Sequence, residues 1–273
     1  MSIKLVAIDI DGTLLNPQRE ITPGVEAALK KARAAGVYIV LASGRPLVGV
    51  QNQLETLGLL TEEDYAITYN GGLVVNNHTG AVVSEYGLTR DQFLEIDTLA
   101  RKLNVHLHTE DKEAIYTSNR DISPYTVHES FLVDMQIRFR MPDEIANQVV
   151  PTKMMMIDEP EILTEAIQKI PADFYDRYTL VQSTPFFLEV LNKEVSKGLA
   201  LEKLTEHLGL QQSEVMAIGD QENDLAMIQY AGTGIAMGNG TASAKELADF
   251  VVASNAEDGV KEAIDRFVFL EKK

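Results

Sequence analysis

The 273-residue chain contains no cysteine, which excludes disulfides and thiolate metal sites and leaves the fold to packing alone. That absence suits a reducing cytoplasm, the expected compartment. Long apolar runs are missing too. No stretch approaches the roughly 20 uninterrupted apolar residues that a membrane span requires. The run Met1–Ile10 is broken by Lys4 and Asp9, with no basic leader ahead of a long hydrophobic core, so no export signal is expected. Basic residues are scarce: 24 Lys and Arg stand against 41 Asp and Glu, a net charge of −17. A field of that sign repels nucleic acid and anionic lipid, and no dense Lys/Arg block offsets it, so neither is expected as a partner. It also mildly repels a phosphate ester, so a phosphate site here must rest on local cations. Neither Gly-x-x-x-x-Gly-Lys-Ser/Thr nor a strand followed by Gly-x-Gly-x-x-Gly occurs. Nucleoside-triphosphatase and dinucleotide-enzyme readings lose their main support.

What is present is an ordinary globular composition, 45% hydrophobic and 24% charged, in a length that makes about two domains. The first eighty or so residues alternate between buried strands (IKLVAIDI at 3–10, VYIVLA at 37–42, YAITY at 65–69) and helical patterns at 22–35 and from Pro46 to about Gly58. The rhythm returns at the end, with strands at 215–218, 234–237 and 250–252 separated by helices at 197–208, 222–230 and 242–248, and a last helix at the C-terminus. Strands separated by helices predict a parallel sheet covered on both faces, an α/β core of the doubly wound Rossmann-like kind. Between the halves the texture changes. A hairpin at 73–85 turns through Asn77-His78-Thr79-Gly80. It is followed by adjacent strands at 105–108, 114–117, 153–157, 178–182 and 186–191, with helices near 91–103 and 160–170. This reads as an inserted α+β domain at 84–192, with 1–83 and 193–273 forming the core.

Four segments carry chemistry, each where a strand is expected to end. In open α/β sheets the loops at the carboxyl ends of the strands converge on one crevice. Asp9-Ile10-Asp11-Gly12-Thr13-Leu14-Leu15 places two carboxylates two residues apart at the end of an apolar strand. They are costly to desolvate and repel each other, and a divalent cation removes both objections. An ionised carboxylate needs no base before it attacks phosphorus, so Asp9 suits a nucleophile. Asp11 can then protonate the leaving alkoxide and later deprotonate water. Ser43-Gly44-Arg45-Pro46 offers a hydroxyl and a Gly N–H at a helix start, a natural phosphate cradle, with Arg45 as a second substrate contact. Capping alone would also explain the Ser and the Pro. Lys197, in Ser196-Lys197-Gly198, can offset phosphoryl charge. In Gly219-Asp220-Gln221-Glu222-Asn223-Asp224, Asp220 can give oxygen to a hard cation such as Mg²⁺. Asn223 can donate to a phosphoryl oxygen, and Asp224 can hold Lys197 or a metal-bound water. An acidic helix start is the plainer explanation of that segment taken alone.

Together, DIDGTLL at 9–15, LASGRP at 41–46, TYNGG at 68–72, VSKG at 195–198 and GDQEND at 219–224 resemble the haloacid dehalogenase superfamily, and within it the Cof-type sugar-phosphatase branch. The resemblance spans the chain. It implies a Rossmann-like core with a large α/β cap inserted between the second and third motifs, Asp9 as nucleophile and Asp11 as acid and base. It also implies Mg²⁺ on Asp9, the main-chain carbonyl of Asp11 and Asp220, to which the reading of the residues above adds Asp224 as a metal candidate, directly or through water. Phosphate contacts would come from Ser43, Gly44, Lys197, Asn223 and the backbone at Ile10.

The expected activity is a magnesium-dependent phosphatase of small phosphate monoesters, whose cap closes over the substrate. A phosphomutase sharing the aspartyl-phosphate step is the alternative. A phospho-acceptor receiver domain shares acids, Mg²⁺ and lysine but not the tight Asp-x-Asp-Gly-Thr or the insertion, and a dehalogenase would not need an acid at Asp11. His106 and His108 have metal-pair spacing but lack a third ligand, and a half-exposed sheet face is the expectation for them. Met154-Met155-Met156 reads as a buried strand. Neither substrate selectivity nor oligomeric state has a signature in the sequence.

Overall fold

The computed structural model describes residues 2–269, so Met1 and residues 270–273, the outer ends of the core and of its last helix as read above, lie outside it. The chain divides into two compact units, Met1–Ser84 with Ser196–Lys273, and Glu85–Val195. Strands β1 (Leu5–Asp9), β2 (Tyr38–Ala42), β3 (Tyr65–Thr68), β4 (Leu73–Asn76) and β5 (Val82–Glu85) come first. Then β6 (His106–Glu110), β7 (Ile115–Thr117), β8 (Ile137–Phe139), β9 (Lys153–Ile157), β10 (Tyr178–Thr184) and β11 (Phe187–Asn192) follow. The chain returns with β12 (Val215–Gly219), β13 (Thr233–Ala236) and β14 (Phe250–Val251).

The first unit is an eight-stranded sheet in the order β14-β13-β12-β1-β2-β3-β4-β5. From β14 to β3 every pairing is parallel, and β4 turns back antiparallel on β3. Successive side chains of a strand point to opposite faces. In β1, Val6 and Ile8 join a core with Val25, Leu29 and Ala32 of the helix Pro23–Ala34, while Leu5 and Ala7 face Ala200, Leu201 and Leu204 of the helix Lys197–His207. Both faces are therefore buried, which is why β1 reads as a continuous apolar run. The helix Pro23–Ala34 starts where the Thr22 hydroxyl accepts the Val25 N–H and Pro23 sets the first helical φ, and it stops before Gly36 at φ +85°. The fold class is α/β.

The second unit is a six-stranded sheet, β10-β11-β9-β6-β7-β8, antiparallel except for the β7–β8 pair. One face is apolar: Leu107, Met154, Met156, Leu188 and Val190 pack under Phe93, Ile96 and Ala100 of the helix Arg90–Leu103. Met155 turns to the other face with Ile157 and Phe187. That other face also carries His108, Glu110 and Lys153, all buried, beside the helix Pro124–Val133, which contributes Thr126 and Glu129. The half-exposed face expected for the histidine pair therefore needs correcting. His106 is partly exposed, but His108 is fully enclosed, its Nε2 3.3 Å from Glu110 Oε1. β8 and the helices Pro124–Val133, Pro142–Gln148 and Ala172–Arg177 are additions to the sequence reading. Among the described residues no helix is long and apolar enough to cross a membrane.

Candidate active site

Register brings the motifs together. β1 lies between β12 and β2, with Ile8 level with Ile218 and Asp9 level with Ala42. The residues that leave the three strands, Ile10, Ser43 and Asp220, consequently emerge at one edge of the sheet. Asp9, Ser43, Lys197, Asp220 and Asp224 are all buried there. Gly12 leaves the strand at φ +88°, and a Cβ on it would stand 2.4 Å from Asp220 Oδ2. The loop after β1 can approach Asp220 only because residue 12 has no side chain.

Lys197 Nζ lies 2.5 Å from Asp9 Oδ1 and 2.6 Å from Asp224 Oδ1. Asp224 Oδ2 accepts the backbone N–H groups of Asp220 and Gln221 at 2.9 and 3.0 Å. Asp220 Oδ1 accepts the Thr13 hydroxyl at 2.8 Å, and its Oδ2 accepts Gln221 Nε2 at 2.9 Å. Burial pushes the Asp9 carboxyl up to about 8, against the pull of Lys197 and aided by Asp224 and Asp220. Burial raises Asp220 as well, with Thr13 and Gln221 opposing it. For Lys197, burial would lower the ammonium, but Asp9 and Asp224 outweigh it and hold the group above its ordinary range.

This donor set fits a hard cation. Asp9, Asp220 and Asp224 each offer a carboxylate oxygen, and these atoms lie within 4.8 Å of one another. Ionising all three acids beside one ammonium would leave excess negative charge out of water, which is expensive until a cation joins it. The three do not offer equal freedom. Among the described residues, Asp224 accepts three hydrogen bonds, whereas Asp9 commits only Oδ1. Asp11 is not part of this group by its side chain. Its carboxylate is 53% exposed and ion-paired with Arg45 Nη2 at 2.5 Å, with Arg19 Nη2 at 3.7 Å. Arg45, expected to reach substrate, thus spends its guanidinium on Asp11 and on the Gly49 carbonyl.

The remaining expected residues gather nearby. The Ser43 hydroxyl accepts the Arg45 N–H at 3.2 Å, and Asn223 Nδ2 donates to Asn70 Oδ1 at 3.0 Å, with Gly44 packed against that Asn70 amide. Ile10 buries its side chain and accepts the Leu15 N–H with its carbonyl. Four residues in this edge had no assigned role from sequence: Thr13, Asn70, Gln221 and Asn239, whose Nδ2 holds the Gly12 carbonyl at 2.8 Å. All sit in loops that follow parallel strands, so the rule about strand ends was the available signal.

Residues 6–264 match the family model of the haloacid dehalogenase-like hydrolases. The chain belongs to that family. Its sequence is 50% identical over 268 residues to a candidate phosphatase of Streptococcus pyogenes, covering 98% of this chain and 99% of that protein. Among solved structures, a haloacid dehalogenase-like hydrolase from Bacteroides thetaiotaomicron matches with a TM-score of 0.84 at 32% identity, over 97% of this chain and 99% of that one. The HAD subclass IIB sugar phosphatase BT4131 matches with a TM-score of 0.78 at 25% identity, over 98% and 100%. In this haloacid dehalogenase-like hydrolase, the acids, lysine and hydroxyl named above therefore lie on the family's own fold.

Proposed function

We propose that this hydrolase is a magnesium-dependent phosphatase of small phosphate monoesters, sugar phosphates foremost, working through an aspartyl phosphate at Asp9. The class, phosphoric monoester hydrolase, agrees with the phosphatase names of relatives matched along their whole length. The sugar preference is supported by the fold match to the sugar phosphatase BT4131. The observation that carries the reading is Asp9 itself, a buried carboxylate with one oxygen on Lys197 and the other uncommitted, beside Asp220.

Asp9 attacks phosphorus, and the bond from phosphorus to the ester oxygen breaks. Asp11 donates its proton to the departing alkoxide and then takes one from the water that cleaves the aspartyl phosphate. Its pair with Arg45 has to open for this. Lys197 offsets phosphoryl charge, while Ser43, Gly44, Asn223 and the backbone at Ile10 hold the phosphoryl oxygens. Bound Mg²⁺, held by Asp9, Asp220 and the Asp11 carbonyl, with Asp224 bracing Lys197, would supply the positive charge that lets an anionic nucleophile meet an anionic ester. A cysteine-free chain suits the reducing cytoplasm where such esters occur. A screen of phosphorylated metabolites, with Mg²⁺ and with EDTA, is expected to show metal-dependent release of inorganic phosphate. Isomer formation without phosphate release would instead make the protein a mutase.

A further inference from the structure

We infer that Asn70 is a positioning residue of the phosphate site, holding the Asn223 amide at the Ser43–Gly44 turn so that donors rather than acceptors face an anion there. The inference rests on the phosphatase reading above and adds a residue to its site.

After β3 the backbone takes three left-handed residues in a row, Tyr69 at φ 52°, Asn70 at φ 56° and Gly71 at φ 100°. Two of them are not glycine, and a left-handed conformation is costly for a bulky side chain such as tyrosine. Such a turn persists only where its surroundings over-determine it. Here they do. The Asn70 N–H donates to the Ser43 carbonyl at 2.9 Å, and the Tyr69 N–H donates to the Arg45 carbonyl at 3.1 Å. A Cβ on Gly71 would stand 2.2 Å from the Ser196 carbonyl oxygen and 2.9 Å from Lys197 N. The side chain of Asn70 then accepts Asn223 Nδ2 at 3.0 Å. One turn thus fixes the segment after β2, the start of the Lys197 helix and the segment after β12.

The amide has a direction. Because Asn70 Oδ1 is the acceptor, the NH₂ end of Asn223 is held against it, and the NH₂ of Asn70 is left with no other acceptor among the described residues. That NH₂ lies where a side chain on residue 44 would be, with a Cβ there only 2.9 Å from Asn70 Nδ2. Glycine at 44 and asparagine at 70 are therefore one arrangement, which places two amide NH₂ groups at the turn that carries the Ser43 hydroxyl. Without Asn70, the Asn223 amide is free to rotate half a turn and present its oxygen, which repels an anion.

Two variants separate this role from a structural one. Asn70→Gly keeps the left-handed backbone and removes the amide. Asn70→Asp also tolerates that backbone and still accepts from Asn223, but replaces the NH₂ with an anionic oxygen. Binding of inorganic phosphate in the presence of Mg²⁺ is measured by calorimetry, alongside KM and kcat with p-nitrophenyl phosphate and the thermal midpoint. Asn70→Gly is expected to weaken phosphate binding and raise KM about tenfold, and Asn70→Asp about a hundredfold, with kcat changing less and midpoints close to wild type. Wild-type phosphate affinity in Asn70→Asp would overturn the inference, as would an Asn70→Gly whose only change is a lower midpoint. Calorimetry needs no turnover. A wild type that binds phosphate but hydrolyses nothing defeats the phosphatase reading while the variants still decide the inference. A wild type that binds no phosphate defeats both.

Discussion

Each unit of this protein buries a lysine among carboxylates, and the two groups are built differently. In the first unit Lys197 sits 2.5 and 2.6 Å from its two acids. Both Asp220 oxygens and Asp224 Oδ2 take hydroxyl, amide and backbone donors. In the second unit Lys153 Nζ lies 3.3 Å from Glu129 Oε1 and 3.4 Å from Glu110 Oε2, with His108 Nε2 3.3 Å from Glu110 Oε1. Burial would raise Glu110, but Lys153 and His108 outweigh it and hold the group low, whereas burial wins at Glu129 and raises it. The second group lies along the side of strands, beside a helix, with its charges close together, and both Glu110 oxygens are buried there with no hydrogen-bond partner among the described residues. The first lies where parallel strands end and loops converge, with Asp9 Oδ2 uncommitted among the described residues. Burial of charge is common to both. What separates a candidate for chemistry from a structural ion cluster is its place in the topology.

The sharpest break between the groups is expected in turnover. Asp9→Asn should lower kcat by about 10⁴-fold or more with the fold retained, since an amide cannot form the aspartyl phosphate. Glu110→Gln removes an equally buried carboxylate from the other group and should leave kcat within about threefold. Steady-state kinetics with circular dichroism on both variants checks the pair. Substantial activity in Asp9→Asn, after excluding contamination, would defeat the mechanism.

Stability should split the groups next. Lys197→Met leaves Asp9 and Asp224 buried without their counter-charge, and Lys153→Met does the same to Glu110 and Glu129. Each is expected to cost about 3–5 kcal/mol in metal-free protein. Saturating Mg²⁺ should recover part of the first loss and none of the second. The triple variant Lys153→Met, Glu110→Gln, Glu129→Gln should regain most of its stability, because a neutral cluster has no unpaired charge to hold out of water. Urea unfolding with and without metal reads all three. A Lys153→Met variant rescued by Mg²⁺ would mean that the second group also meets a cation.

The pH dependence follows from Asp9. Burial pushes its carboxyl up to about 8 from an ordinary value of 3.8, so the folded state holds the proton more tightly than the unfolded chain. That contribution to stability is complete below the unfolded value and is lost as pH rises through the folded one. A cation competes with the same proton, so the gain in thermal midpoint on adding Mg²⁺ should grow between about pH 6 and pH 8. A gain that stays flat across that range would remove Asp9 from the metal's ligands.

The α/β core was legible because its strands are buried on both faces and read as unbroken apolar runs, and because a strand's last residue fixes where its side-chain chemistry emerges. Asp9, Ser43 and Asp220 could be read that way. The helix Pro124–Val133 could not. It buries Thr126, Glu129 and Val133 while Val127, Phe131 and Leu132 stay exposed, so its sequence pattern is the reverse of an amphipathic helix. The burial of His108 was hidden for the same reason, since the residues beside it are polar. Asn70 lay in a recognised motif, yet its left-handed turn depends on segments more than twenty residues away on one side and more than a hundred on the other. No local pattern reports that convergence.

The smallest effect concerns long-range charge, and it should leave both groups untouched. Ion pairs enclosed by protein are screened far less than exposed ones, so moderate salt should not change the unfolding free energy through Lys197 or Lys153. The net charge of −17 acts instead on an anionic ester still in solution, which it repels from beyond the pocket. Raising ionic strength from low to physiological should therefore increase kcat/KM slightly, by less than about twofold, with kcat unchanged. The sign matters more than the size. A steep fall in kcat/KM with salt would mean that a wide basic surface draws substrate in, and Lys197 and the metal site would then no longer be the main sources of positive charge felt by the phosphate.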